Sequence, residues 1–225
     1  MKPFDTQNVI GIGTGIYTLP DIASILHLPA SKVRRWMREY WQLRFSSADQ
    51  SEFSYGTGKE LVTNFLTLIE FFTFYQLRQE GVSAQKIVKA HIALAKTFGT
   101  KHPFAKSSIL TDGEQVLFNG DAGEIIQADE TLQFKIREAI EPFCKKVDFN
   151  EDHIVKCFYP MGKDHSIVVD PKRQFGQPVI GDTNVLAETV YNLHRGGESV
   201  EMLSGLYDLT EDQVNDAINY YHRAA

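Results

Sequence analysis

YTLPDIASILHLPASKVRRWMREYW, residues 17–41, decides how the first half of the chain is read. Thr18 suits a helix cap, Pro20 suits a first turn, and Ile22, Ala23, Ile25 and Leu26 recur at the spacing of one helical face. His27, Leu28, Pro29 and Ala30 interrupt that pattern. Ser31 is the expected cap of a second helix, with Val33, Trp36, Met37 and Tyr40 as its inward face. Two short helices across a three- or four-residue turn make a helix-turn-helix. Arg34, Arg35 and Arg38 fall beside or opposite the apolar stripe, which leaves their guanidinium groups free. Arginine offers bidentate geometry to guanine edges and to phosphates, so such a helix can seat on DNA and read its major groove. A merely solvated face would carry the same residues; the preceding helix and turn favour DNA.

Lys32, Arg34, Arg35, Arg38 and Arg44 against Glu39 give residues 29–44 a net charge of +4 in a chain of −6, which leaves −10 for the rest. Nucleic acid requires positive charge on one face, not over the whole molecule, so an acidic chain retains this function. SSADQSEFSYGTGKELV, residues 46–62, has the Ser, Gly and Asp content of a hairpin or wing, flanked by Arg44 and Lys59 as candidate phosphate contacts. Leu61 to Leu77 is apolar nearly all round, with Phe65, Phe71, Phe72, Phe74 and Tyr75, and predicts a helix buried on more than one side. Core packing or a dimer contact would each explain it, since a two-fold DNA reader needs an interface. Gly81 ends that helix, Ser83 caps the next, and Gly99 and Pro103 follow its last apolar residue, Phe98.

Residues 17–41 together with LTLIEFFTFYQLRQEGVSAQKIVKAHIALAKTFGTKHPF, residues 66–104, resemble the winged helix-turn-helix of the MerR-like regulators over about residues 15–104. The resemblance implies that Ser31, Lys32, Arg34, Arg35 and Arg38 occupy recognition-helix positions and that residues 46–62 form the wing.

Farther on, Asp112-Gly113 predicts a tight hairpin, and Leu132–Lys146 predicts an amphipathic helix kinked by Pro142. IVKCFYP and SIVVDP, beginning at Ile154 and Ser166, are β-prone runs suited to pairing. Three helices should close the chain: Thr183 and Asn184 precede the first, Gly196-Gly197 end it, Ser199 caps the second, and Thr210 opens the third. Residues 165–225 hold four basic and nine acidic side chains, a net of −5, so protein contact or dimerisation suits this part better than DNA. The expected fold is mainly α with short β hairpins. A winged helix-turn-helix over 1–105 and a connecting segment over 106–164 precede a three-helix, helix-turn-helix-like domain over 165–225.

VVDP, FGQPVI, GGES and LTEDQVNDAINYY within the last sixty residues resemble the family known as domain of unknown function 433. That resemblance implies a VapB-type antitoxin whose longer members join a MerR-like domain to this one. It further implies a partner, a PIN-like ribonuclease toxin, and repression of the shared promoter; reading two half-sites of a double-stranded DNA operator would make the chain a homodimer. Gly181-Asp182-Thr183-Asn184 stands where many members continue with Gly-Thr-Arg.

Other functions find little support. GIGTGIY at 11–17 lacks the third glycine and the preceding strand of a dinucleotide loop. Cys144 and Cys157 have no metal-ligand spacing, and seven scattered histidines form no catalytic motif, so neither an enzyme, a metal nor a cofactor is expected. The longest apolar stretch, residues 61–75, is too short for a membrane span and contains Asn64 and Glu70, which points to the cytoplasm. The alternative to an antitoxin is a stand-alone MerR-like regulator responding to a small ligand.

Overall fold

A computed structural model describes residues 13–45, 53–106, 142–143 and 145–222, without the side chains at 59 and 97. Strand β1 (Tyr17–Thr18) leads into helices α1 (Leu19–Ile25) and α2 (Ala30–Trp36), and α2 continues as a π-helical segment over Met37–Phe45. Strand β2 (Val62–Thr63) precedes helices α3 (Phe65–Gln79) and α4 (Ala84–Phe98). Strands β3 (Val147–Phe149), β4 (Val155–Phe158), β5 (Ile167–Val168) and β6 (Val179–Ile180) follow, and helices α5 (Ala187–Arg195), α6 (Val200–Tyr207) and α7 (Glu211–His222) complete the order.

The strands pair antiparallel as β1 with β2, β3 with β4, and β5 with β6. Tyr55 bridges Val62, adding a third chain segment beside β2. The expected pairing of the IVKCFYP and SIVVDP runs is confined to one bridge, Phe158 with Val169. The Asp112-Gly113 hairpin and most of the Leu132–Lys146 helix lie outside the described residues; Pro142 and Phe143 are helical, and Lys145 and Lys146 form a turn.

Helix α3 starts at Phe65, not at Leu61 as its apolar content predicts. The β-branched pair Val62-Thr63 instead extends opposite Thr18 and Tyr17, and the Asn64 carboxamide accepts from the Thr67 backbone N–H at 2.9 Å to cap the helix. The apolar side chains of α3 are covered by the chain's own core: Leu68, Ile69, Phe71 and Phe74 are fully buried. Trp41 stacks on Phe71 with centroids 3.8 Å apart, and Phe72 meets Phe143 and Phe158 at 5.5 and 4.7 Å, so the middle strands share this core. Each such buried aromatic contributes roughly 2 to 3 kcal/mol. Glu70 is buried within it, accepting from Phe104 N at 2.8 Å while its other oxygen meets His91 Nε2 at 2.6 Å.

A second core joins Ile167 and Ile180 to Ala187, Val190, Leu203, Val214 and Ala217 of the last three helices. Besides the Phe158–Val169 bridge beside Ile167, the following contacts among the described residues join the two cores. Tyr220 lies against His27 with ring centroids 5.0 Å apart and donates to Ile25 O at 3.4 Å. Around Phe175, the Ile16 N–H donates to Phe175 O at 2.9 Å, and a Cβ on Gly176 would stand 2.0 Å from the Tyr17 hydroxyl. Gln174, Phe175 and Gly176 all have left-handed backbones, with φ of 46°, 55° and 88°. Arg173 fixes this loop by donating from Nη1 to Gly181 O and Thr183 O at 2.7 and 2.9 Å and from Nε to Asp170.

Candidate nucleic-acid interface

Helix α1 begins in a reciprocal cap. Thr18 Oγ1 accepts from Asp21 N at 3.2 Å, and Asp21 Oδ2 accepts from Thr18 N at 2.8 Å. The helix closes with His27 in a left-handed conformation, φ 51°, and Leu28 N donating to Ala23 O. Helix α2 then starts two residues earlier than Ser31 as its cap predicts. Pro29, at φ −57°, occupies the cap position, and its carbonyl accepts from Lys32 N and Val33 N at 2.9 and 3.2 Å. Ser31 therefore falls inside the first turn with its side chain exposed and is not the cap.

From there the residues sort by face. Val33, Trp36 and Met37 are buried, whereas Ser31, Arg34 and Arg35 of α2 and Arg38 at the start of its π-helical continuation are exposed at three- and four-residue spacing. Among the described residues, no ion pair engages Arg34, Arg35 or Arg38. Lys32 is diverted: it is half-buried, with Nζ 5.6 Å from the Trp36 ring and 5.9 Å from the Tyr75 ring, where cation and ring attract. Arg44 is exposed near the end of the π-helical segment. The backbone of Lys59 lies in a short 3₁₀ turn, Gly58–Glu60.

The π-helical continuation carries an apolar stripe. Met37, Trp41 and Phe45 recur every fourth residue along it. Met37 and Trp41 are buried, and Phe45 stacks on His91 at 3.9 Å. The segment carrying Arg38 and Arg44 is thus pinned to α3 and α4 by aromatic contacts.

Competing sites are weak. Burial pushes the Cys157 thiol up to about 11, unsuited to a nucleophile at neutral pH. His165 Nδ1 lies 2.8 Å from Asp216, but the same carboxylate accepts from Ser166 N at 2.7 Å, which makes the group a tie between β5 and α7. Among the described residues no cluster of His, Cys, Asp and Glu could hold a metal ion, and no helix is long and apolar enough to cross a membrane.

Sequence reasoning missed the contacts of Tyr17, His27 and Gly176 that join the two cores, because they pair residues far apart in the chain. It also missed the outward Met202, Gly205 and Leu206 of α6. For these a signal existed: Val200, Leu203 and Tyr207 already complete an inward stripe at helical spacing, which leaves 202 and 206 on the other side.

A two-core chain with an arginine face on one unit and an acidic helical unit on the other narrows the class. Residues 167–221 match the model of the family described as "Protein of unknown function (DUF433)". Over 223 residues the chain is 26% identical to "Putative antitoxin VapB45" of Mycobacterium tuberculosis, covering 91% of this chain and 92% of that protein. The fold is similar to the crystal structure of Rv2018 from Mycobacterium tuberculosis, with a TM-score of 0.72 and 22% identity over 90% of this chain and 96% of that one.

Proposed function

We propose that the chain is the antitoxin of a toxin-antitoxin pair that neutralises a PIN-like ribonuclease toxin and represses its own promoter in the cytoplasm. The observation that carries the DNA-binding half is the exposed face of Ser31, Arg34, Arg35 and Arg38 on the second helix of a helix-turn-helix and the start of its continuation. Similarity along nine-tenths of a relative named as an antitoxin supports the other half and does not favour a stand-alone, ligand-responsive regulator. No chemical step and no cofactor enters this function.

In this proposal residues 1–105 form a MerR-like winged helix-turn-helix, with Arg44 and Lys59 on phosphates beside the base-reading arginines. Residues 106–164 connect it to the partner-binding domain, 165–225. Lys32, leaning on Trp36 and Tyr75, contributes long-range attraction more than a base contact. A homodimer would place two recognition helices about 34 Å apart, one turn of DNA, on a palindromic operator. The test is binding of the purified chain to the DNA upstream of its own gene, followed by fluorescence anisotropy. Arg35→Ala should weaken binding by about 1 to 3 kcal/mol and relax discrimination against operator variants. Operator binding unchanged in Arg34→Ala, Arg35→Ala and Arg38→Ala alike would remove this face from the function.

A further inference from the structure

We infer that the outer face of α6, with Met202, Gly205 and Leu206 at its centre, is where the toxin docks, and that it fits the basic, RNA-holding face of that toxin. The inference rests on the antitoxin function proposed above and specifies its partner-binding surface.

Helix α6 satisfies the fold with one side only. Leu203 is fully buried, and Val200 and Tyr207 pack against the same core. Met202 and Leu206, four residues apart and so on one face, remain 58% and 62% exposed. Gly205 lies between them in the same helix. A Cβ there would meet nothing within 4 Å, and Gly205 is not among the glycines with positive φ. Neither backbone conformation nor space inside the chain requires glycine, and a helical glycine is less stable than alanine. Close approach of a partner gives it a reason.

Charge selects the occupant. Glu198, Glu201, Asp208, Glu211 and Asp212 are exposed around this helix and its two flanking turns, and residues 196–216 contain no lysine or arginine. A two-fold contact with a second copy would set this acidic patch against itself. Nucleic acid and anionic lipid are repelled for the same reason. A protein with an apolar hollow rimmed by lysine and arginine fits. A ribonuclease holds RNA by such a surface, combining cationic groups with base-stacking apolar ones. Docking of α6 there would exclude RNA without any residue of this chain reaching the toxin's reacting atoms.

The experiment uses the full chain co-expressed and co-purified with the product of the neighbouring reading frame. Gly205→Trp, and Met202→Asp combined with Leu206→Asp, should weaken the complex by about 30-fold or more while leaving circular dichroism and operator binding as in the wild type. Gly205→Ala should raise Tm yet weaken the complex several-fold, a combination that a purely structural role would not give. Affinity of the wild type should fall by about 10-fold or more from low to high salt, and short single-stranded RNA should compete for the toxin. Undiminished capture by all three variants, failure of RNA to compete, or variants that turn a dimer into a monomer would overturn this assignment while leaving the antitoxin function standing. A wild-type chain that binds no neighbouring product would overturn both.

Discussion

Gly176→Ala is expected to be the most damaging single-methyl addition in the region where the two cores meet. Gly176 adopts φ +88°, and an added Cβ would lie 2.0 Å from the hydroxyl and 2.6 Å from Cζ of Tyr17. Tyr17 is 0% exposed and tilts against Phe65 at 6.5 Å, so its ring has no open space to enter. Placing alanine in the left-handed region costs about 1 to 2 kcal/mol, and overpacking a filled core costs about 1 to 3, giving a loss of about 2 to 5 kcal/mol. For a chain of this length each kcal/mol lowers Tm by about 2 to 4 °C. Urea denaturation of four proteins separates the two contributions: wild type, Gly176→Ala, Tyr17→Ala and the double variant. In the Tyr17→Ala background the clash disappears and Gly176→Ala should cost only its backbone part, a coupling of about 1 to 3 kcal/mol. Gly162→Ala is the control, because Gly162 has φ +104° with nothing within 4 Å and should show the backbone part alone. A Gly176→Ala protein within about 0.5 kcal/mol of wild type, or no coupling to Tyr17, would refute the docking of this loop on β1.

The remaining expectations concern buried polar groups and caps. The Tyr17 hydroxyl is buried without a hydrogen-bond partner among the described residues, so Tyr17→Phe should leave stability at neutral pH unchanged or raise it by about 1 kcal/mol, read by thermal denaturation. Burial, with the charges of Asp170 and Asp21 adding to it, holds this phenol well above its ordinary pKa of 10.0, and burial does the same for Tyr220. An acid whose folded pKa is raised leaves stability intact below the unfolded value and loses it above. Stability should therefore decline above about pH 10 by about 1.4 kcal/mol per pH unit per phenol, and Tyr17→Phe should shallow that slope. Glu70→Ala strands the Phe104 N–H and the His91 ring in the aromatic core and should cost about 2 to 4 kcal/mol in urea denaturation. Thr18→Ala removes one arm of the α1 cap and should cost about 1 kcal/mol by the same assay.

Local signals in the sequence carried a good part of this fold. Thr18, Pro20, Ser83, Gly99, Ser199 and Thr210 mark helix ends through interactions with neighbours one turn away, and the structure places them at or beside those ends. Ser31 misled because a good capping residue does not by itself set the entry point: the helix begins at Ala30, after Pro29, with no side-chain cap bond. Leu61 to Asn64 misled because apolar content does not separate a helix from a strand, and the partner that makes Val62-Thr63 a strand lies over forty residues earlier. The exposure of Arg34, Arg35 and Arg38 followed from helical periodicity; the diversion of Lys32 onto Tyr75 did not, since Tyr75 belongs to α3. The contacts of Tyr17 with Gly176 and of His27 with Tyr220 depend on tertiary placement and have no periodic trace.

The most direct test of the antitoxin function is growth of a host expressing the reading frame next to this chain's gene, with and without this protein. Growth arrest that co-expression relieves, and that the Arg34→Ala, Arg35→Ala, Arg38→Ala triple variant still relieves while failing to repress the promoter, is the predicted result. It would separate the proposed toxin binding by residues 165–225 from the proposed DNA binding by the arginine face. Arrest that this protein does not relieve, or no arrest at all, would contradict the account.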